Sequence, residues 1–281
     1  MYAPAKHNWY YHLTSSGRSV SLAGYAVDGC PSDAFVDPMP FQSIEPRRLY
    51  RQIADQIREL IRAGEFVAGA RLPPERDLAK QLGVSRPSVR EALIALEVEG
   101  LVEVRIGSGI YVLGPGVKPE NDEPSAAVAG RAEVHALAGP FELMRARYTI
   151  ESECAALAAK SASKAQIAAI EEALEQMHRE FEHEKQPLAG DRLFHLRIAE
   201  ATGNGALVAV VKMLWEERLG PLYKRLEHHY DTPALWTAAM GEHRAVLKAI
   251  AEHDVAGARA TMQRHLNKAY KRFSKGWDTL H

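Results

Sequence analysis

The apolar positions between residues 49 and 99 recur at intervals of three and four, which predicts three short helices in succession. The first helix carries one apolar stripe, formed by Leu49, Ile53, Ile57, Leu60 and Ile61. Pro73 and Pro74 separate it from a second helix, because proline cannot continue a helix but fits its first turn. Gly83 ends the second helix at a tight turn, and Ser85 caps a third helix that runs to Glu99.

Beyond Gly100 the helical spacing gives way to two short apolar runs. Residues 101–104 and 110–112 flank the sequence Gly107-Ser108-Gly109, and this arrangement predicts a β-hairpin. Two helices joined by a tight turn and followed by a hairpin form a winged helix–turn–helix. The first residues of the second of these helices usually contact base edges in DNA.

Basic and hydroxyl side chains cluster where DNA would lie on such a domain. Arg86 and Arg90 are four residues apart, so they share a helix face, and each could bind guanine through two hydrogen bonds. The other candidates for phosphate or groove contacts are Arg76, Ser85, Ser88, Arg105 and Gly107. A winged helix that only docks onto protein is the alternative, and the clustering of arginines favours DNA.

The remainder of the chain, from about residue 140 to 275, has helical periodicity and no strand pattern. It predicts an all-α bundle, whose fourth helix bends near Gly220-Pro221. The predicted fold is therefore mainly α, with a small β wing. We expect a weakly ordered arm over 1–45, a winged helix–turn–helix over 46–113, a linker over 114–139 and a helical ligand- and metal-binding domain over 140–275.

Composition narrows the functional classes. The formal net charge of −1 excludes a generally basic nucleic-acid coat, so any DNA affinity must come from a local patch. Cys30 and Cys154 lie far apart without a CxxC motif, which favours a reducing cytoplasm over a disulfide scaffold. No apolar run reaches the roughly 18 residues of a membrane span. We expect a cytoplasmic protein with no membrane partner.

One set of polar residues within the helical region suits a metal. Asp191 and His195 are four residues apart on one helix face, and His243 and His265 fall in the fifth and sixth predicted helices. Three imidazoles and a carboxylate suit a divalent transition metal, with zinc first and nickel, manganese or iron as alternatives. The chain has 12 histidines, however, and a histidine in an amphipathic helix is more often a surface or satisfied core residue.

Two parts of the chain resemble known families. The run LPPERDLAKQLGVSRPSVREALIALEVEGLVEVRIGSGIYV resembles the DNA-binding domain of the GntR family of bacterial transcription regulators, although Pro87 stands where many relatives carry a hydroxyl residue. That resemblance implies a homodimer bound to a short palindromic operator in double-stranded DNA. The pattern D-x3-H, EHRAVLKAI and MQRHL resembles the FCD ligand-binding domain of the FadR-type subgroup. That domain often holds a metal through one Asp and three His, here Asp191, His195, His243 and His265.

The segments GPFELMRAR, FHLRIAEATGN and LWEER further resemble regulators of hexuronate use. The resemblance implies a repressor that leaves its operator when a small carboxylate effector binds. Arg147, which matches the family's R-x3-E pattern with Glu151, is the preferred carboxylate ligand. Arg145 and Asn204 are further ligand candidates, and Trp215 and Arg218 are weaker ones.

Three other functions are compatible with these residues. A metal-dependent hydrolase or lyase acting on a small carboxylate would have to recruit Glu200 or Glu242 as its base. A metal that only stiffens the bundle would leave the regulator without a metal-linked effector site. A pure metal sensor would release DNA with metal alone. We expect a regulator rather than an enzyme.

Overall fold

The computed structural model describes residues 48–114, 138–183 and 186–275. The predicted arm and almost all of the predicted linker, 114–139, lie outside these residues. The described part of the chain contains ten helices and one two-stranded sheet, which confirms the mainly helical fold with a small wing. No helix among the described residues is long and apolar enough to cross a membrane.

The N-terminal domain has the predicted order of elements. They are α1 (Leu49–Arg62), α2 (Glu75–Leu82), α3 (Arg86–Val98), β1 (Val102–Arg105) and β2 (Gly109–Val112). Gly83 ends α2 with a φ of 65°, a left-handed conformation that glycine adopts without steric cost. The Ser85 hydroxyl accepts a hydrogen bond from the Ser88 amide at 3.2 Å and so caps α3. The strands pair antiparallel, with Val102 opposite Val112.

A third extended segment, residues 70–72, lies beside β2. The Leu72 amide donates to the Ile110 carbonyl at 2.8 Å, and the Val112 amide donates to the Ala70 carbonyl at 2.9 Å. The sequence gives no sign of this pairing, because the segment is short and lies between Gly69 and the two prolines. It places Arg71 opposite Tyr111, beside the wing.

The C-terminal domain is the predicted helical bundle. Its helices are α4 (Pro140–Ser161), α5 (Lys164–Glu182), α6 (Leu188–Ala201), α7 (Gly205–Arg218), α8 (Pro221–His228), α9 (Pro233–Ala251) and α10 (Val255–Ser274). The predicted bend at Gly220-Pro221 is a complete break, so one predicted helix is two. Proline has no amide to donate back to the preceding turn and starts α8 at its first position.

The described residues form two apolar cores. One lies within the bundle and contains residues of α4, α5, α6, α7, α9 and α10. The other joins the winged domain to the bundle, because α1, α3 and the wing pack with Phe141 of α4, Phe273 of α10 and three residues of α8. Those three are Leu222, Tyr223 and Leu226. Helix α8 lies between α7 and α9 in chain order, but its apolar face packs with the DNA-binding domain.

A candidate metal and effector centre beside a DNA-binding face

Three helices bring three histidines to one point inside the bundle. His195 lies on α6, His243 on α9 and His265 on α10, and all three are buried. One ring nitrogen from each lies within 4.8 Å of the others. The Nε2 atoms of His195 and His243 are 3.2 Å apart. Residues that are 70 positions apart in sequence thus present their imidazoles to a single centre.

Asp191, the fourth ligand predicted from the sequence, lies beside two of the three histidines. Its Oδ1 atom lies 3.0 Å from Nε2 of His243 and 3.6 Å from Nε2 of His195. This oxygen is buried and has no hydrogen-bond partner in the described part of the chain. Donors held about 2.0–2.1 Å from zinc in a tetrahedron lie about 3.3 Å from one another. The spacing and the orphaned oxygen fit a divalent transition metal better than a closed hydrogen-bond network.

The second nitrogen of each imidazole is engaged by the protein. Nδ1 of His243 lies 2.7 Å from the Ala239 carbonyl, and Nδ1 of His265 lies 2.8 Å from Oε2 of Glu242. Nδ1 of His195 lies 2.5 Å from Oε2 of Glu151, in an ion-pair contact rather than an aligned hydrogen bond. Such partners fix the ring orientation and leave Nε2 available for a metal.

Electrostatics keep the carboxylates of this centre ionised. Burial by itself would raise the pKa of Asp191, but the charge of Arg218 and the adjacent imidazoles of His195 and His243 hold that pKa well below its usual range. Burial likewise opposes ionisation of Glu151, and the charges of Arg147 and His195 lower its pKa to about 2. The centre therefore presents anionic oxygen at neutral pH, as a cation requires.

The imidazole of His265 is held neutral. Burial is the largest cause, and the neighbouring His243 adds to it, so the pKa of His265 falls to about 3. A neutral imidazole is the form that binds a metal. Its partner Glu242 also contacts Arg272, at 3.2 Å, and its pKa is lowered to about 2 against the effect of burial. Glu242, a base candidate in the enzyme hypothesis, is thus occupied in orienting a histidine.

Two buried arginines lie close to the indole ring system of Trp215. The guanidinium carbon of Arg147 lies 4.3 Å from the ring centroid of Trp215, and that of Arg218 lies 4.4 Å from it. Arg147 binds Glu151 at 2.7 Å, and Arg218 binds Asp191 at 2.6 Å. Arg147 is therefore inside the centre, as the R-x3-E pattern suggests, and Trp215 and Arg218 line it as well.

Two of the predicted effector ligands lie elsewhere. Arg145 is exposed, because the position two residues before Arg147 falls on the opposite side of α4. Asn204 is exposed and caps α7, since its Oδ1 accepts the amides of Ala206 and Leu207 at 3.0 and 3.4 Å. The prediction that these two side chains line the effector site is corrected: neither lies at the histidine cluster.

A separate groove of about 410 Å³ lies between α5, α6 and the end of α7. Its walls are mostly aliphatic and include Leu188, Leu193, Leu196 and Leu219. None of the four candidate metal ligands lines it. A polar, hydroxylated acid suits the histidine cluster and its arginines rather than this groove.

Most of the predicted DNA-contacting residues are accessible on one domain. The side chains of Arg76 and Arg86 are 78% and 43% exposed. Ser85 and Arg105 are also exposed, and Ser88 is partly buried beneath the cap of α3. Gly107 forms the wing tip with a φ of 74°. These positions would let the start of α3 enter a major groove while the wing follows the backbone.

Arg90 corrects the sequence prediction. The residue is 0% exposed, because its face of α3 turns toward α2, where Nη2 of Arg90 lies 2.6 Å from Oε2 of Glu75. It also donates to the backbone carbonyl of Phe273 at the end of α10. The spacing of four residues correctly gave Arg86 and Arg90 one face, but it could not show that this face meets a buried carboxylate. In this arrangement Arg90 does not reach DNA.

Sequence reasoning missed Arg71. Its exposed guanidinium lies over the wing, so close that a Cβ on Gly109 would collide with its Nε. Within the described residues it makes no ion pair, which leaves it free for a phosphate. The only available signal was a basic residue just before the Leu72-Pro73 step, and that alone predicts nothing.

Comparisons with known proteins agree with this architecture. Residues 49–112 match the model of the bacterial regulatory proteins of the gntR family, and residues 142–268 match the FCD domain. The chain is 39% identical over 229 residues to the Uxu operon transcriptional regulator of Escherichia coli K12, covering 80% of this chain and 87% of the relative. It is 40% identical over 230 residues to the Exu regulon transcriptional regulator of the same strain, covering 79% and 83%.

A third relative is the HTH-type transcriptional repressor NanR of Klebsiella aerogenes, which is 31% identical over 239 residues, covering 83% of this chain and 87% of the relative. All three relatives are named as regulators of transcription. This chain belongs to the gntR family of bacterial transcriptional regulators and carries an FCD domain.

Proposed function

We propose that this regulator is a repressor that binds its operator as a homodimer and leaves it when a hexuronate-like sugar acid binds in the bundle. The effector would bind at a metal held by Asp191, His195, His243 and His265. The observation that carries the proposal is the buried, unpartnered Oδ1 of Asp191, which faces the Nε2 atoms of two of the three histidines.

We infer a regulatory rather than a purely structural ion, which requires the metal to accept ligands beyond the four from the protein. In such an expanded coordination shell it would supply positions for a carboxylate and an adjacent hydroxyl. We propose zinc as the first candidate, since three imidazoles and a carboxylate suit it, with nickel, manganese and iron as alternatives. The protein supplies the orientation, through the contacts that fix each imidazole.

Arg147 and Arg218 supply the matching positive charge. Burial opposes the charge on each guanidinium, but neighbouring carboxylates raise the pKa of both, so both stay ionised. An incoming carboxylate would compete with Glu151 for Arg147, or with Asp191 for Arg218. Arginine is suited to this exchange because its planar fork binds carboxylates in two-point geometry.

The relatives support a hexuronate as the effector and repression as the mode of regulation. The Uxu and Exu regulators are the branch that the segments GPFELMRAR and LWEER resemble, and a hexuronate carries a carboxylate next to a hydroxyl. NanR is named a repressor. Repression relieved by the acid requires that the acid bind more tightly to the form of the dimer that does not bind DNA.

The test is an equilibrium titration of operator binding by fluorescence anisotropy. Zinc-loaded protein is mixed at fixed salt with the intergenic DNA beside its own gene, and glucuronate, galacturonate, fructuronate, tagaturonate and gluconate are added in turn. We expect one hexuronate to release the DNA, and a His195→Ala variant to keep DNA binding but lose the response. His178→Ala is the matched control, because that histidine lies on α5 away from the cluster and, among the described residues, its ring bonds Arg244. Tight binding that no acid weakens would contradict the hexuronate assignment.

A further inference from the structure

We propose that α8 couples the histidine cluster to the wing, and that Arg218, on the side of the cluster, and Glu97, on the side of the wing, are the residues that position its last turn. The inference rests on the proposed function, because it assigns a route by which that site acts. It does not depend on which acid is the effector. Its basis is two sets of charged contacts on α8, one that joins it to Asp191 of the histidine cluster and one that joins it to Glu97 and the first strand of the wing.

The first link joins the histidine cluster to α8. One guanidinium nitrogen of Arg218 bonds Oδ2 of Asp191 at 2.6 Å, and another bonds Oε1 of Glu227 at 2.5 Å. Arg218 is the last residue of α7, and Glu227 lies in the final turn of α8. The arginine is buried, so solvent does not screen either contact. A change in the charge on Asp191 therefore changes how strongly Arg218 attracts Glu227 on α8.

The second link joins α8 to the DNA-binding domain. Nε2 of His229, the residue that caps α8, lies 2.7 Å from Oε2 of Glu97 on α3, and Arg225 approaches the same oxygen at 3.8 Å. The other oxygen of Glu97 accepts the amide of Val104 at 3.0 Å. Glu97 is buried, and one carboxylate thus holds α8, α3 and strand β1 together.

Helix α8 packs between the winged domain and the bundle. Leu222, Tyr223 and Leu226 belong to the core shared with α1 and α3. The break at Gly220-Pro221 removes the helical hydrogen bonds that would otherwise make α7 and α8 one rigid rod. A small displacement of α8 is then passed to α3 and β1, which set the angle between recognition helix and wing.

The direction of coupling follows from the charges. A cation at the histidine cluster draws the negative charge of Asp191 away from Arg218, so Arg218 binds Glu227 more strongly and pulls on α8. An acid whose carboxylate bound Arg218 would act in the opposite direction, because it would compete with Glu227 for the guanidinium. Either event changes how firmly Glu97 holds the Val104 amide, at the base of the wing.

The experiment measures hydrogen exchange of the Val104 amide in the full chain, with and without zinc as the only added ligand. Exchange reports the opening of that particular hydrogen bond. The test variants are Glu97→Gln and His229→Gln, which keep side-chain size and lie outside the metal cluster. The matched control is His178→Gln, which alters an exposed histidine–arginine contact between α5 and α9. Zinc affinity is measured by titration for every protein.

We expect zinc to change the exchange rate at Val104 about tenfold in the native chain and in His178→Gln. In Glu97→Gln and His229→Gln we expect less than a twofold change, with zinc affinity unaltered. The coupling would be overturned if zinc bound without changing the exchange rate at Val104, or if zinc changed that rate fully in both test variants. Either result would leave the metal site itself supported. Failure of the native chain to bind zinc would overturn the metal site and the coupling together.

Discussion

Arg90 and Glu75 form an ion pair closed off from solvent, with Nη2 of the arginine 2.6 Å from Oε2 of the glutamate. The same carboxylate accepts Nε of Arg86 at 2.9 Å. One buried glutamate on α2 therefore holds a structural arginine and a DNA-facing arginine at once. We expect this contact to orient Arg86 before DNA binds and so to lower the entropy cost of the base contact predicted for it.

Replacing Glu75 by glutamine tests this pair. The change leaves the buried guanidinium of Arg90 without its counter-charge, and breaking one side of a buried ion pair costs about 3–5 kcal/mol. We expect the free energy of unfolding in urea to fall by that amount. Glu59→Gln is the matched control, because Glu59 pairs with Arg62 where both side chains are more than 60% exposed, and such pairs contribute about 0–1 kcal/mol. An equal decrease in the free energy of unfolding in the two variants would contradict a special role for Glu75.

A second prediction concerns pH. Glu91 accepts the Phe141 amide at 2.8 Å where α3 meets the start of α4. Burial raises the pKa of this carboxyl from 4.5 to about 7, although the Phe141 amide opposes the rise. Because the folded pKa lies above the unfolded one, the group costs no stability below about pH 4.5. Its cost grows as the pH rises and is complete above about pH 7.

Glu91→Gln removes that cost while keeping an oxygen for the Phe141 amide. We expect the stability of the variant relative to the native chain to increase by about 2–3 kcal/mol between pH 4.5 and pH 8, since one pKa unit corresponds to about 1.4 kcal/mol. Urea unfolding of both proteins at these two pH values measures the change in their relative stability. A difference between the two proteins that does not vary with pH would rule out a raised pKa at this position.

A third prediction assigns a phosphate contact to Arg71. Its guanidinium is exposed beside the wing, over Gly109. We expect Arg71→Gln to weaken binding to specific and unrelated DNA alike. We also expect the slope of log K against log salt concentration to become shallower by about 0.9 for each phosphate that the variant no longer neutralises. Arg62→Gln, at the far end of α1, should leave the slope unchanged. Weaker binding to one operator sequence alone would instead indicate a base contact.

A fourth prediction concerns the helix that carries Asp191. A Cβ on Gly190 would lie 2.5 Å from the backbone nitrogen of Met177 on α5, and backbone cannot give way as a flexible side chain does. We expect Gly190→Ala to push α6 from α5, to cost about 1–3 kcal/mol of stability and to weaken zinc binding. Gly241→Ala is the matched control, since no atom lies near its Cβ position and alanine favours helix there. Zinc titration compares the zinc affinity of the two variants, and thermal unfolding compares their stability.

The sequence predicted the elements of this fold well because their signals are local. The apolar spacing of α1, the glycine at 83 and the cap at Ser85 each act within a few residues, and the structure contains all three. The break at Gly220-Pro221 was expected only as a bend. The strand-like pairing of residues 70–72 was not expected at all, because it depends on β2, which lies 40 residues further along the chain.

The candidate site could be predicted only in part. The spacing of Asp191 and His195 shows one helix face, and resemblance to the FCD domain added His243 and His265. No local pattern reveals that Glu151 approaches His195 or that Arg218 binds Asp191, because each pair joins different helices. Burial was the other limit. The family's R-x3-E pattern correctly indicated that Arg147 lies inside the bundle, but the spacing of Arg86 and Arg90 could not show that Arg90 is covered.

The most direct test of the central proposal, that effector and operator binding are linked, is a thermodynamic cycle. The affinity of zinc-loaded protein for its operator is measured with and without a hexuronate, and the affinity for the same hexuronate is measured with and without operator. Linkage requires the two ratios to be equal, and coupling of this kind is typically about 5–150-fold. We predict equal ratios in that range, each showing mutual weakening. A hexuronate that binds free and operator-bound protein equally well would contradict the linkage.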